Sequence, residues 1–166
     1  MNPWPARAPV PALTEGALHL WSASLDATPE RLAGYRSLLN SEELGRAGRF
    51  RFARDHDRYV MGRGILRTLL ARYAELPDGR AVKLAYGPHG KPSLAAADGL
   101  RFNHSHADDF ALYAFTRGVE IGVDVERVRD LPDLDATMRA SFADAERRHI
   151  EALPTPVEQR DAFYRC

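Results

Sequence analysis

Between Asp55 and Tyr73 apolar side chains return every fourth residue, at Met61, Ile65, Leu69 and Tyr73, with Leu66 and Leu70 beside them. That spacing draws one continuous stripe along an α-helix and commits the middle of the chain to a long helix buried on one face. Gly62 and Gly64 interrupt the stripe. Each glycine costs a helix interior about 1 kcal/mol against alanine, so the pair points to close packing or a nearby ligand rather than to helical propensity.

The flanks follow from local signals. Alternation over Ala17 to Leu25 predicts a strand. Thr28 with Pro29 starts a short helix running towards Leu39, and Asn40 with Ser41 opens another around Glu42 to Phe50. Beyond a loop at Leu76 to Arg80, extended segments are expected at Val82 to Ala85, Leu100 to Ser105 and Phe110 to Phe115. Thr116, Arg117 and Gly118 form a tight connection into Val119 to Glu126, so the last two strands are expected to pair as an antiparallel hairpin. Short amphipathic helices are expected at Leu134 to Ala140 and Ala143 to Leu153. Thr155, Pro156 and Glu158 then form a capping box for a final helix. Ala162, Phe163, Tyr164 and Cys166 carry no stop signal, so that helix reads as cut in its middle.

With 166 residues, 45% of them apolar, the chain has material for a buried core. Its 23 basic and 23 acidic residues cancel. Nothing global therefore suggests a nucleic-acid coat or a membrane-surface protein, and any basic site is local. The single cysteine, Cys166, leaves no intrachain disulfide and favours a reducing, cytoplasmic setting. The first sixteen residues hold four prolines and no continuous apolar run, which excludes a signal peptide or membrane span and predicts an arm over the surface.

Four motifs could carry chemistry. In Ile121-Gly122-Val123-Asp124-Val125-Glu126 an extended backbone turns Ile121, Val123 and Val125 to one face and Gly122, Asp124 and Glu126 to the other. The two acids then lie roughly 7 Å apart at the backbone, suited either to a hard cation such as Mg²⁺ or to a solvated acidic face paired with Arg127 and Arg129. Phe102-Asn103-His104-Ser105-His106 presents two histidines to one side. They could bind a transition metal, contact a phosphate beside the Ser105 hydroxyl, or stay idle, and the metal reading lacks a third ligand. Arg46, Arg49, Arg51, Arg54, Arg58, Arg63, Arg67 and Arg72 follow one another across two helices. A subset on one face would suit a ligand with several phosphates, and the rest a solvated surface balanced by Glu42, Glu43, Asp55 and Asp57. Tyr86-Gly87-Pro88-His89-Gly90-Lys91-Pro92 is a rigid turn holding one cation.

In this order the features resemble the surfactin-synthetase type of 4′-phosphopantetheinyl transferase, from about Leu18 to Cys166. The matching motifs are Gly90-Lys91-Pro92, Phe102-Asn103-His104-Ser105-His106, Gly122-Val123-Asp124-Val125-Glu126, and Phe142 followed by Glu146. The resemblance implies an α+β fold of two similar halves, here an arm over 1–16, a first half over 17–115 and an incomplete second half over 116–166. It implies Mg²⁺-dependent transfer of phosphopantetheine from coenzyme A to a serine of an apo acyl- or peptidyl-carrier protein, with 3′,5′-ADP leaving. By the same resemblance Asp124 and Glu126 hold the metal on the pyrophosphate, Ser105 and His106 contact phosphates, Lys91 meets the adenosine end, and Arg46 and Arg58 serve the 3′-phosphate region. His106 joins the two acids in the catalytic set. Glu43 departs from a lysine often found in the family, and Ala107 from a serine. The family's Trp-x-x-Lys-Glu motif would fall directly after Cys166, so the chain is expected to stop before the catalytic set is complete. An uncovered second half would favour dimerisation, aggregation or a partner. The alternative is a fragment that binds coenzyme A or a carrier without transfer, and a histidine-based metal hydrolase ranks below both.

Overall fold

The computed structural model describes residues 10–87, 90–94 and 99–165. Residues 1–9 of the arm, Pro88 and His89 of the turn, and Cys166 lie outside the described residues. The architecture is mixed α+β, and packing divides the chain into residues 1–125 and 126–166.

The first unit is built on α3 (Ala53–Tyr73), the predicted long helix. Its stripe of Met61, Ile65, Leu66, Leu69 and Leu70 is fully buried, together with Phe102, Tyr113 and Phe115 from the sheet. Gly64 supplies the close packing its sequence position implied: a Cβ there would lie 2.3 Å from Cβ of Tyr35. Tyr35 belongs to α1 (Pro29–Arg36), which Thr28 caps and Pro29 opens. In α2 (Ser41–Ala47) Asn40 and Glu43 form a reciprocal capping box.

The sheet facing α3 has three antiparallel strands in the order β1 (His19–Ser24), β5 (Phe110–Arg117), β4 (Leu100–Ala107). A separate two-stranded ladder joins β2 (Leu84–Tyr86) to β3 (Pro92–Leu94), the latter not expected from sequence. The arm also departs from a purely surface course. Leu13 is buried in the core and its carbonyl accepts a hydrogen bond from Arg117 Nε at 3.0 Å.

The predicted hairpin between Phe110 to Phe115 and Val119 to Glu126 does not form. Both edges of β5 are occupied, by β1 and by β4, so the next segment has no place beside it. The hairpin partner of β5 is β4, joined through Asp108 in a left-handed conformation (φ 51°). The chain after Gly118 instead forms no strand and is tied to β4 through side chains. Asn103 Oδ1 accepts from the Val123 amide at 3.0 Å, and Ser105 Oγ from the Val125 amide at 3.3 Å. These ties keep 116–125 with the first unit, so packing divides the chain beyond the 115/116 boundary read from sequence.

The second unit contains α4 (Leu134–Ser141), α5 (Asp144–Glu151) and α6 (Pro156–Phe163), the three helices expected there. Met138 and Ile150 are buried within it, and Phe142 packs on Phe163 at 5.1 Å between ring centroids. Thr155 and Glu158 form the predicted capping box, and Tyr164 keeps right-handed helical angles at the other end.

Candidate functional site

The long helix, the loop before it and β4 enclose an open groove of about 520 Å³ within the first unit. Arg46 comes from α2, Phe50 from the following loop, and Asp55, Arg58, Tyr59 and Arg63 from the first half of α3. Gly90 and Pro92 border it from the turn before and the start of β3, and His104, His106 and Asp108 from β4 and its turn. Two-residue alternation explains the histidines. Phe102, His104 and His106 share the face of β4 turned to α3, and His104 lies nearly parallel to Tyr113, with centroids 6.2 Å apart.

Three guanidinium groups, from Arg46, Arg58 and Arg63, line the groove together with the carboxylates of Asp55 and Asp108. Arg58 lies 3.6 Å from Asp108. Arg46 and Arg63 stand over the ring of Tyr59 at 5.7 and 6.0 Å, and Phe50 packs on the same ring at 5.4 Å. Burial, the Arg63 charge and the neighbouring His106 together push His104 down to a pKa of about 4. It is therefore a neutral imidazole at physiological pH, able to donate one N–H without adding charge.

The remaining predicted residues are arranged differently. Ser105 points away from the groove, as alternation requires, and donates to Asp124 Oδ1 at 2.6 Å. That bond and the Val125 amide hold the Asp124 carboxyl below its ordinary range, so this exposed acid is ionised. Ile121, Val123 and Val125 are half-buried while Gly122, Asp124 and Glu126 are exposed, the predicted alternation without the predicted ladder. Asp124 belongs to the first unit, and Glu126 opens the second. Lys91, between two groove-lining residues, donates from Nζ to Glu120 Oε2 at 2.8 Å and to the Ile121 carbonyl at 3.2 Å. Among the described residues no group of three or more His, Cys, Asp or Glu side chains is placed to hold a metal ion.

Sequence reasoning did not single out Phe50 or Tyr59, named Arg63 only as one of eight arginines, and read Glu43 as a surface counter-charge and a departure from a family lysine. Glu43 is 3% exposed and pairs with Arg67 at 2.7 Å. The position of the Glu43 carboxylate, though not its partner, was signalled by Asn40 and Glu43, whose capping-box spacing fixes it against the helix start.

A family model described as 4′-phosphopantetheinyl transferase, N-terminal, matches residues 22–117. The chain is 36% identical over 163 residues to 4′-phosphopantetheinyl transferase HetI of Nostoc sp., covering 96% of this chain and 68% of that protein. It is 30% identical over 151 residues to the human L-aminoadipate-semialdehyde dehydrogenase-phosphopantetheinyl transferase, covering 85% and 48%. It is 26% identical over 129 residues to 4′-phosphopantetheinyl transferase psf-1 of Bacillus pumilus, covering 78% and 53%. The chain thus spans about half the length of the human and Bacillus proteins.

Proposed function

Because the chain belongs to the family of 4′-phosphopantetheinyl transferases, we propose that it acts in the surfactin-synthetase manner, moving phosphopantetheine from coenzyme A to a serine of an apo acyl- or peptidyl-carrier protein. One observation carries the reading: Arg46, Arg58 and His106, distant in sequence, line a single groove that also takes in Gly90 and Pro92. A coenzyme with a 3′-phosphate and a pyrophosphate is the ligand such a set of guanidinium and imidazole groups suits.

In the reaction the carrier serine Oγ forms a bond to the β-phosphorus while the bond from that phosphorus to the bridging oxygen breaks, releasing 3′,5′-ADP. The hydroxyl proton leaves to a base or to solvent. Arg46 and Arg58 fix the 3′-phosphate end, Lys91 the adenosine end, and His106 the phosphates, while Ser105, turned away from the groove, holds Asp124 in place of the phosphate contact expected of it. Asp124, an ionised and exposed oxygen donor, fits a hard divalent cation, and Glu126 would be its companion. Mg²⁺ bound there would supply neutralisation of charge on the pyrophosphate oxygens. The protein's own part is positioning and electrostatics, as in other phosphoryl transfers. Cytoplasmic residence and a carrier from secondary metabolism complete the reading. No helix among the described residues is long and apolar enough to cross a membrane.

The alternative is coenzyme A binding without transfer. The deciding experiment is the intact mass of an apo carrier protein incubated with this chain, coenzyme A and Mg²⁺. A gain of one phosphopantetheine is expected. No gain, with coenzyme A binding that is lost in Arg58→Ala or His106→Ala, supports the binding-only reading.

A further inference from the structure

Glu43, Arg63 and Arg67 form a buried row where α2 meets α3, 3%, 7% and 1% exposed. Glu43 Oε2 is fully used, accepting from Arg67 Nε at 2.7 Å and from the Asn40 amide at 3.1 Å. Arg67 is satisfied by that bond and by the carbonyls of Gly79 and Val82, at 2.9 and 3.1 Å. Arg63 is not. Its Nε lies 3.9 Å from Glu43 Oε1, an ion pair too long for a hydrogen bond. Its Nη2 donates to the Tyr86 hydroxyl at 3.1 Å, while its Nη1 and Glu43 Oε1 are buried without a hydrogen-bond partner among the described residues.

One carboxylate therefore serves two buried guanidinium groups, and the row holds a surplus positive charge. A buried charge lacking a full partner destabilises the folded state. A helix position facing a packed neighbour would normally carry an apolar side chain. Instead Arg63 is held between the rings of Tyr59 and Tyr86, 6.0 Å from each centroid. It lines both the large groove and an adjoining recess of about 170 Å³, shared with Glu42, Glu43, Arg46 and Tyr86. Its charge is felt across the groove, since it is one cause of the neutral state of His104.

We propose that Arg63 is a specificity-determining residue: its buried charge, which lacks a full hydrogen-bonded partner, reserves the groove for a phosphate-bearing ligand, whose anion completes the Glu43, Arg63 and Arg67 charge set. The inference rests on the coenzyme A reading only for which phosphate compound is the natural one. A neutral nucleoside would leave the surplus charge in place. A phosphate monoester, dianionic near neutral pH, removes it and meets Arg46 and Arg58 as well. Arg63 then works against the stability of the ligand-free protein and in favour of the complex, two effects of opposite sign that a merely structural arginine would not show.

The test uses the full chain with Arg63→Met and Arg63→Lys, read by urea unfolding without ligand and by titration calorimetry with 3′,5′-ADP, inorganic phosphate and adenosine. Arg63→Met is expected to raise the urea midpoint, weaken 3′,5′-ADP and phosphate at least tenfold, and change adenosine less than twofold. Arg63→Lys, which keeps the charge, is expected to stay within about threefold of the parent for 3′,5′-ADP. A lower midpoint in Arg63→Met with unchanged 3′,5′-ADP affinity overturns the proposal and makes Arg63 a structural partner of Glu43. A parent protein that binds 3′,5′-ADP no better than adenosine overturns it whether or not the variants fold. Carrier modification at the parental rate by Arg63→Met would sink this inference and leave the transferase reading standing. Selective loss of phosphate binding without any carrier modification by the parent would do the reverse.

Discussion

His104 faces two ways, its ring against Tyr113 in the core and its edge towards the groove. Its folded pKa of about 4 lies below the unfolded value near 6.5. As pH falls through that window the unfolded chain takes up a proton that the folded protein refuses, so stability declines with falling pH. Between pH 7 and pH 5 the loss from this group is about 2 kcal/mol. Urea titrations at the two pH values should show it, and His104→Gln should remove most of the difference; an equal pH slope in the variant would count against this account. Much at this scale was legible beforehand. The pairing of His104 with His106 on one face follows from the period of an extended chain. The partner of Glu43 did not, because the residue that neutralises it, Arg67, lies 24 positions along the chain and only the packing of α2 on α3 brings them together.

At the scale of elements, the two glycines of α3 carry different meanings that the sequence could not separate. A Cβ at Gly64 would collide with Tyr35, whereas at Gly62 the nearest atoms outside the helix backbone are 3.8 Å away. Gly64→Ala should destabilise the protein by about 2 kcal/mol or more through overpacking, while Gly62→Ala should be neutral or stabilising by up to about 1 kcal/mol. Thermal melts of the two variants measure this, and matching shifts would show that the close α1 contact is not rigid. Helix starts were readable at Thr28, Asn40 and Thr155 because a cap is a local device, set by residues three apart. The course of Val119 to Val125 was not, because it depends on β1 closing the far edge of β5 from nearly a hundred residues away. The alternating burial of that segment survived the misreading, since it needs only an extended backbone beside a surface.

For the molecule as a whole, the division after Val125 falls where Glu126 to Asp130 are all exposed and form no helix or strand. Limited trypsin digestion should therefore cut first after Arg127 or Arg129 and leave a fragment ending there that melts as the first unit does. Initial cleavage inside α3 or the sheet would contradict this division. Beside β4 the amides of Val123 and Val125 are held by the Asn103 and Ser105 side chains, while in β1 Leu20 is 57% exposed in a strand without proline or acidic residues. Among the described residues β1 pairs with β5 alone, so its second edge can accept a strand from another copy. Two copies paired edge to edge through β1 would share one continuous six-stranded sheet.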